Sequence, residues 1–421
     1  MKITKRNSRV QPLKATGTAF SSDKVTPVIE FLKANYRIEV NKYDRTQMRI
    51  ASTGTRAYTF PPSLDDISIH LMQSGIPHTK SLIRMLLNSP NQIASYDPVK
   101  EYFASLREIE PDGESHIDRL IAHLRVREFD DRPEGYYREM AARFIRKWLA
   151  AAAACAIGES ANEAALVFVS ATEGNGKTSL AKFLCPEPLR EMMTLSHADR
   201  RVFNIDQAVT SNFLVLYDEM HGLSASTAEE FKKVLSARSL PVKLRGEFGP
   251  VVRPRIASVV ATTNNRTGFK SGFLCPALGT RRFISIYLDS IDFDYAENVD
   301  VDRLWAEALA LAESPDYDHR YTQEEFAELK EANQRYMIET PASAMLQQAF
   351  TLPEGEEDAA AQWLTPTEIL AELQRRRMVR AEVARYMTPK HLGEALTALG
   401  FRRDMVYGAG ERRYKYRVRT L

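Results

Sequence analysis

The chain has 421 residues, 44% of them apolar and 27% charged, with a formal net charge of +2, the usage of an ordinary soluble globular protein of two or three domains. No run approaches eighteen apolar residues, so no membrane span is expected. Three far-apart cysteines (Cys155, Cys185, Cys275) with no C-x-x-C pair, and eight scattered histidines, argue against a disulfide framework or a metal cluster and fit a reducing cytosol.

Residues 1–24, "MKITKRNSRVQPLKATGTAFSSDK", are basic and polar, and no apolar segment follows them. They read as a disordered arm and not as a secretory signal. From 25 to 132, short helical patterns ("VTPVIEFLKANY", "SLDDISIHLMQSG", "YDPVKEYFASLRE") surround one expected strand pair in "RIEVNKYDRTQMRIAS", giving a mainly helical region. Residues 134–157, "EGYYREMAARFIRKWLAAAAACAI", place apolar and aromatic side chains at three- and four-residue intervals and predict one long helix.

The texture then changes. Apolar runs of strand length appear at 165–171 ("ALVFVSA"), 213–217 ("FLVLY"), 256–263 ("IASVVATT") and 281–288 ("RRFISIYL"), separated by helical patterns and loops. Strands that are apolar almost throughout belong in a parallel sheet covered on both faces, so the block from 133 to 315 is α/β. A helical segment and linker, 316–360, follows, and the acidic "LPEGEEDAAAQW" (352–363) at its junction with the tail has the look of a linker. The tail, 361–421, offers "LTPTEILAELQRRR", "TPKHLGEALTALGF" and "MVYGAGERRYKYRV", the helix–helix–hairpin order of a winged helix. From Leu370 to the end, thirteen Lys/Arg face five Asp/Glu, a basic balance that points to nucleic acid or to a solvated charged surface.

The chemistry concentrates in "ATEGNGKTSL", residues 171–180. Thr172, Glu173, Gly174, Asn175, Gly176, Lys177, Thr178 and Ser179 follow an apolar strand and open a helical pattern, which is the context a phosphate-binding loop needs. Ala171 stands where the usual pattern has its first glycine. That position ends the strand, so the tightest contacts fall on Gly174 and Gly176. Lys177 is expected to reach the β- and γ-phosphates of ATP, and the Thr178 hydroxyl to ligate Mg²⁺. Forty-one residues after Lys177, "FLVLYDEM" ends an apolar run in Asp218 and Glu219. Asp218 is expected to hold the metal with its water, and Glu219 to orient or deprotonate the attacking water. The third strand ends in polar residues too, making Asn264 the candidate γ-phosphate sensor and Asn265 its fallback.

The order of these motifs resembles the virulence-associated protein E (VapE-like) family. The segments concerned are "YDPVKEYFASL" (96–106), "EGNGKTSLAKFL" (173–184), "EEFKKVLSAR" (229–238), "VKLRGEFG" (242–249), "RPRIASVVATTN" (253–264) and "LGTRRF" (278–283). The resemblance implies a superfamily 3 helicase core of AAA+ type: an ATP-dependent motor of mobile elements or phages, acting in DNA replication as a hexamer. A primase would be a partner in trans. It implies a pore hairpin in which Lys243 and Arg245 contact phosphates of single-stranded or forked DNA and Phe248 stacks on a base. It also implies that Arg281 or Arg282 serves a neighbouring subunit's nucleotide. Lys232 and Lys233 read as solvated. Two other readings stay open at this point: a nucleotide-binding origin or scaffold protein without unwinding activity, and a defence-related NTPase acting on a protein client.

Overall fold

The computed structural model describes residues 22–89, 91–197, 204–220, 225–243, 249–264, 272–274, 280–338, 340–355, 357–379, 387–408 and 411–421. They form two compact units that divide between Asp97 and Pro98.

In the smaller unit, helix α1 (Ser22–Asn35) leads into strands β1 (Tyr36–Asn41) and β2 (Met48–Ser52), paired antiparallel as the alternating sequence suggests. Helices α2 (Leu64–Gln73) and α3 (Lys80–Leu87) follow, and β3 (Ala94–Tyr96) adds to β1 in parallel. Ser63 starts α2 through a reciprocal capping box with Asp66, which satisfies two backbone donors at once. Val28 and Leu32 of α1, Ile67 and Leu71 of α2 and four α3 side chains close the core over Tyr36 and Ile38.

The larger unit begins with α4 (Pro98–Leu106), α5 (His116–Ala122) and β4 (Leu124–Val126). The sequence reading grouped this stretch with the N-terminal region. Instead, Phe103 of α4 packs edge-on against Phe213 and Trp305, a contact between distant segments that local periodicity does not encode. The long helix α6 (Tyr136–Ile157) comes next, and the run Ala150–Ala154 is wholly buried, since small side chains allow close packing.

The strands β5 (Ala165–Ser170), β6 (Met193–His197), β7 (Leu214–Asp218), β10 (Ser258–Asn264) and β11 (Phe283–Ile291) then build a parallel sheet. Spatial order is β4-β11-β5-β10-β7-β6, with only β4 antiparallel. Every residue of β5 is buried, because its alternate side chains face two covered sides. Ala165, Val167 and Val169 share one cluster with Val209 of α8 (Ile205–Ser211) and Phe231 of α9 (Ala225–Ser236). Between α9 and β10, β8 (Ser239–Val242) and β9 (Val251–Pro254) form the expected antiparallel hairpin.

After β5 comes α7 (Lys177–Phe183), and after β11 come α10 (Tyr295–Asn298), α11 (Val301–Glu313) and α12 (Gln323–Ala332). Trp305 of α11 donates its indole N–H to the Leu184 carbonyl at 2.9 Å, fixing the end of α7. Lys147 of α6 donates to both carboxylate oxygens of Glu325 on α12, each at 2.6 Å.

A last cluster joins α13 (Pro341–Ala349), β12 (Phe350–Thr351), β13 (Ala361–Leu364), α14 (Pro366–Arg375), α15 (Pro389–Ala398), β14 (Arg403–Gly408) and β15 (Glu411–Thr420). β15 lies between β13 and β14, antiparallel to both. Leu346 of α13 is buried in the same core as Ile369, Leu396 and Val418, so this module takes in a helix from the segment that reads in sequence as helical segment and linker. No helix among the described residues is long and apolar enough to cross a membrane.

Candidate functional site

Parallel strands end together, and here the ends of β5, β7 and β10 carry polar residues after buried apolar runs. Chain order sets this up. After β5 the strands fill outward positions and return, so β10 and β7 lie on one side of β5 and β11 on the other. Open sheets of this kind bind ligands at the carboxyl ends of their strands.

The loop from Ala171 to Gly176 connects β5 to α7. Gly174 and Gly176 hold φ values of 74° and 86°, a left-handed conformation that disfavours any residue with a Cβ. At Gly174 nothing would meet an added Cβ, so backbone conformation alone selects glycine. At Gly176 a Cβ would also fall 2.6 Å from a ring carbon of Phe293, so conformation and space agree.

Lys177 is buried, with 6% of its surface exposed. Its ammonium donates to Ser170 Oγ at 2.6 Å, Asn264 Oδ1 at 2.8 Å, Asn175 Oδ1 at 2.9 Å and the Thr172 carbonyl at 3.2 Å. All four acceptors are neutral. Burial pulls the Lys177 pKa below its ordinary value, while the charges of Asp218, Glu173 and Glu219 oppose that shift from further off. An anion entering this edge would supply the counter-charge that the cation lacks in contact among the described residues.

Asp218 ends β7, and its Oδ1 accepts from Thr178 Oγ1 and Thr262 Oγ1, both at 2.7 Å. A hydroxyl and a carboxylate in contact are hard oxygen donors, so this pair fits a hard divalent cation such as Mg²⁺. The next residue, Glu219, has φ 55°, unusual for a residue with a Cβ and worth about 1–3 kcal/mol of backbone strain. The kink is held by Glu219 N–H donating to Thr262 Oγ1 at 3.2 Å and Met220 N–H donating to the Thr262 carbonyl at 2.7 Å. It ends the alternation of the strand and leaves the Glu219 side chain exposed beside Asp218.

The structure thus brings Lys177, Thr178, Asp218 and Asn264 into one bonded network, with Glu219 at its margin. Glu173 and Ser179 are exposed on the loop and the first turn of α7. Asn265 lies outside the described residues. Two members escaped the sequence reading, Ser170 and Thr262. Each is a polar residue buried in an apolar strand run, and that misfit was the available signal.

Arg281 and Arg282 stand elsewhere. They form a short 3-10 turn before β11, and Phe283 is in register with Ala165, the first residue of β5. Six strand residues, about 20 Å, therefore separate the arginine turn from the edge where Lys177 lies. Arg281 is exposed, its guanidinium 5.4 Å from the centre of the Phe326 ring. Arg282 is more enclosed: burial lowers its pKa, and its nearest carboxylate is Glu163, 3.7 Å away. Lys243 is exposed just after β8, whereas Arg245 and Phe248 lie outside the described residues. Lys232 and Lys233 are exposed on α9.

Comparison with known proteins gives one family. The profile of the virulence-associated protein E-like domain matches residues 106–338, more than half of the chain. No curated protein matches. Among solved structures, the apo NrS-1 C-terminal region is similar at a TM-score of 0.44 and 13% identity, covering 95% of this chain and 99% of that one. JCV helicase is similar at a TM-score of 0.31 and 12% identity, covering 68% of this chain and 81% of that one.

Proposed function

The chain belongs to the virulence-associated protein E-like family, and from that premise we propose that it is an ATP hydrolase whose turnover drives movement along DNA, or its unwinding, in the replication of a mobile element or phage. The observation that supports this best is the Lys177 ammonium, buried at the ends of three parallel strands and, among the described residues, on neutral oxygens alone. In this reading the parallel sheet is the P-loop core of an AAA+-like NTPase, and the module from α13 to β15 is a winged helix.

The loop from Thr172 to Gly176 presents backbone N–H groups to the phosphates of ATP, and Lys177 stabilises charge that grows on them during transfer. Thr178 and Asp218 would hold Mg²⁺, which supplies charge neutralisation on the phosphate oxygens when bound. Glu219 takes a proton from the attacking water, and Asn264 orients the terminal phosphate. Thr262 keeps Asp218 and Glu219 in fixed relation. The arginine turn lies too far from Lys177 to act within one chain, so Arg281, the more exposed of the two, would act on a neighbour's nucleotide in a ring-shaped oligomer, a hexamer in this reading. The β8–β9 connection, with Lys243, Arg245 and Phe248, would contact single-stranded or forked DNA, and a primase would be supplied by another chain.

ATP turnover measured with and without single-stranded or forked DNA tests this. The wild type should be stimulated by DNA. Lys177→Ala should abolish turnover, and Glu219→Gln should bind ATP yet hydrolyse it at least about 100-fold more slowly. Near-normal turnover in Lys177→Ala, or turnover indifferent to DNA, would overturn the proposal.

A further inference from the structure

The sheet fixes the direction in which a nucleotide would lie. Asp218 and Asn264, the residues assigned to the phosphate end, sit on β7 and β10, on one side of β5. If those residues hold the phosphates, the remainder of the ligand extends away from them, and the strand on the other side of β5 is β11.

At the carboxyl end of β11 the chain is held at two points. The Asp292 backbone N–H donates to the His123 carbonyl at 2.9 Å, and its carboxylate Oδ2 lies 2.8 Å from His123 Nδ1. Three residues on, Tyr295 is buried with its ring edge-on to Phe183 of α7, centroids 4.8 Å apart. Between these anchors Phe293 keeps 55% of its surface exposed, although its ring lies against Gly176. An aromatic side chain held on both sides and still half in water is a ready platform for another flat ring. The residue before Phe293, Asp292, lines a cavity of about 510 Å³ together with His123, Arg125, Glu134 and Arg138. That volume exceeds what a nucleobase and its ribose need, and its polar rim offers donors and acceptors of both signs.

We propose that Phe293 and the cavity beside His123 and Asp292 form the site for the base and ribose of the nucleoside triphosphate, with Phe293 as the stacking platform. The proposal rests on the reading of Lys177 and its loop as a phosphate site. It assigns the base end to β11 and β4, which no motif in the sequence marks.

Inorganic tripolyphosphate separates the two readings, because it carries the phosphates and no base. Affinities for ATP and for tripolyphosphate would be measured by calorimetry on the full chain, its Phe293→Ala and Phe293→Tyr variants, and Lys177→Ala. Phe293→Ala should weaken ATP by about 10-fold or more and leave tripolyphosphate unchanged, while Phe293→Tyr keeps wild-type affinity for both. Equal loss of ATP and tripolyphosphate in Phe293→Ala would mean that the ring only supports the loop, and would overturn the base site. Unchanged ATP affinity in Phe293→Ala, with Lys177→Ala still losing it, would overturn the base site alone. A wild-type chain that binds neither probe would overturn both readings.

Discussion

Lys147 and Lys177 are buried to the same depth, 7% and 6% exposed, in two regions of the larger unit that treat a cation in opposite ways. Between α6 and α12, Lys147 meets both oxygens of Glu325, so the charge is cancelled where it is buried. At the strand ends, among the described residues, Lys177 meets only neutral oxygens. Lack of a carboxylate does not alone make a site. Arg255 is fully enclosed too, and its guanidinium donates to the carbonyls of Ala257, Val234, Leu235 and Asn162. Lys177 differs from both, because its acceptors are the open ends of strands and a glycine loop, where a ligand can enter. One lysine closes an interface; the other is proposed to bind an anion.

The largest expected effect separates these two lysines by stability. Lys147→Met leaves the Glu325 carboxylate without its buried partner and should lower unfolding free energy by about 3–5 kcal/mol. Lys177→Met leaves its four acceptor oxygens without that donor, at about 1–3 kcal/mol. It also removes a desolvated cation with no ion partner in contact among the described residues, so its net loss should be clearly smaller than that of Lys147→Met. Denaturant titration of the two variants checks this, and equal losses would erase the distinction.

A smaller effect tests the network around Asp218. Thr262→Val removes one donor to Asp218 and strands the Glu219 N–H, at a cost of about 1–3 kcal/mol in stability. ATP turnover should fall by about 10-fold in the same variant, with a higher Mg²⁺ requirement, read from rates across a metal titration. A stability loss with unchanged turnover would reduce Thr262 to a structural residue.

How much of this was legible beforehand depends on where each signal lives. The strands β5, β7, β10 and β11 announced themselves as apolar runs, since burial on both faces suppresses polar residues. β6 did not: "MTLSH" is a short edge strand that, among the described residues, pairs with β7 alone. The loop glycines were legible because a left-handed backbone selects them. Ser170 and Thr262 were absorbed into their strands. Phe293 has no motif around it, and Leu346 joins its core only through long-range packing.

An exposed cation offers a third case. Lys243 is solvated, so Lys243→Ala should leave folding and basal turnover intact while reducing the salt dependence of single-stranded DNA binding by about 0.7 in the log–log slope. Binding isotherms over a salt series would show it, and an unchanged slope would remove Lys243 from the DNA contact.

The smallest effect is on pH. Burial places the folded-state pKa of Lys177 below its ordinary 10.5. Just below pH 10.5 the unfolded chain therefore binds a proton that the folded chain does not, so ligand-free stability should gain a contribution as pH rises through that window. Lys177→Met should lack this rise, and stability measured from pH 8 to 10.5 would reveal it. An identical profile in both proteins would contradict the uncompensated-charge account.

Lys177 is proposed to bind the phosphates of ATP, and thermal unfolding with and without Mg²⁺ and ATP tests this most directly. At nucleotide concentrations about 100 times Kd, binding should add roughly 2.7 kcal/mol to the wild type. Lys147→Met should start lower and gain the same amount, while Lys177→Met gains nothing. A Lys177→Met protein stabilised as much as the wild type, or a wild type that gains nothing, would contradict the account.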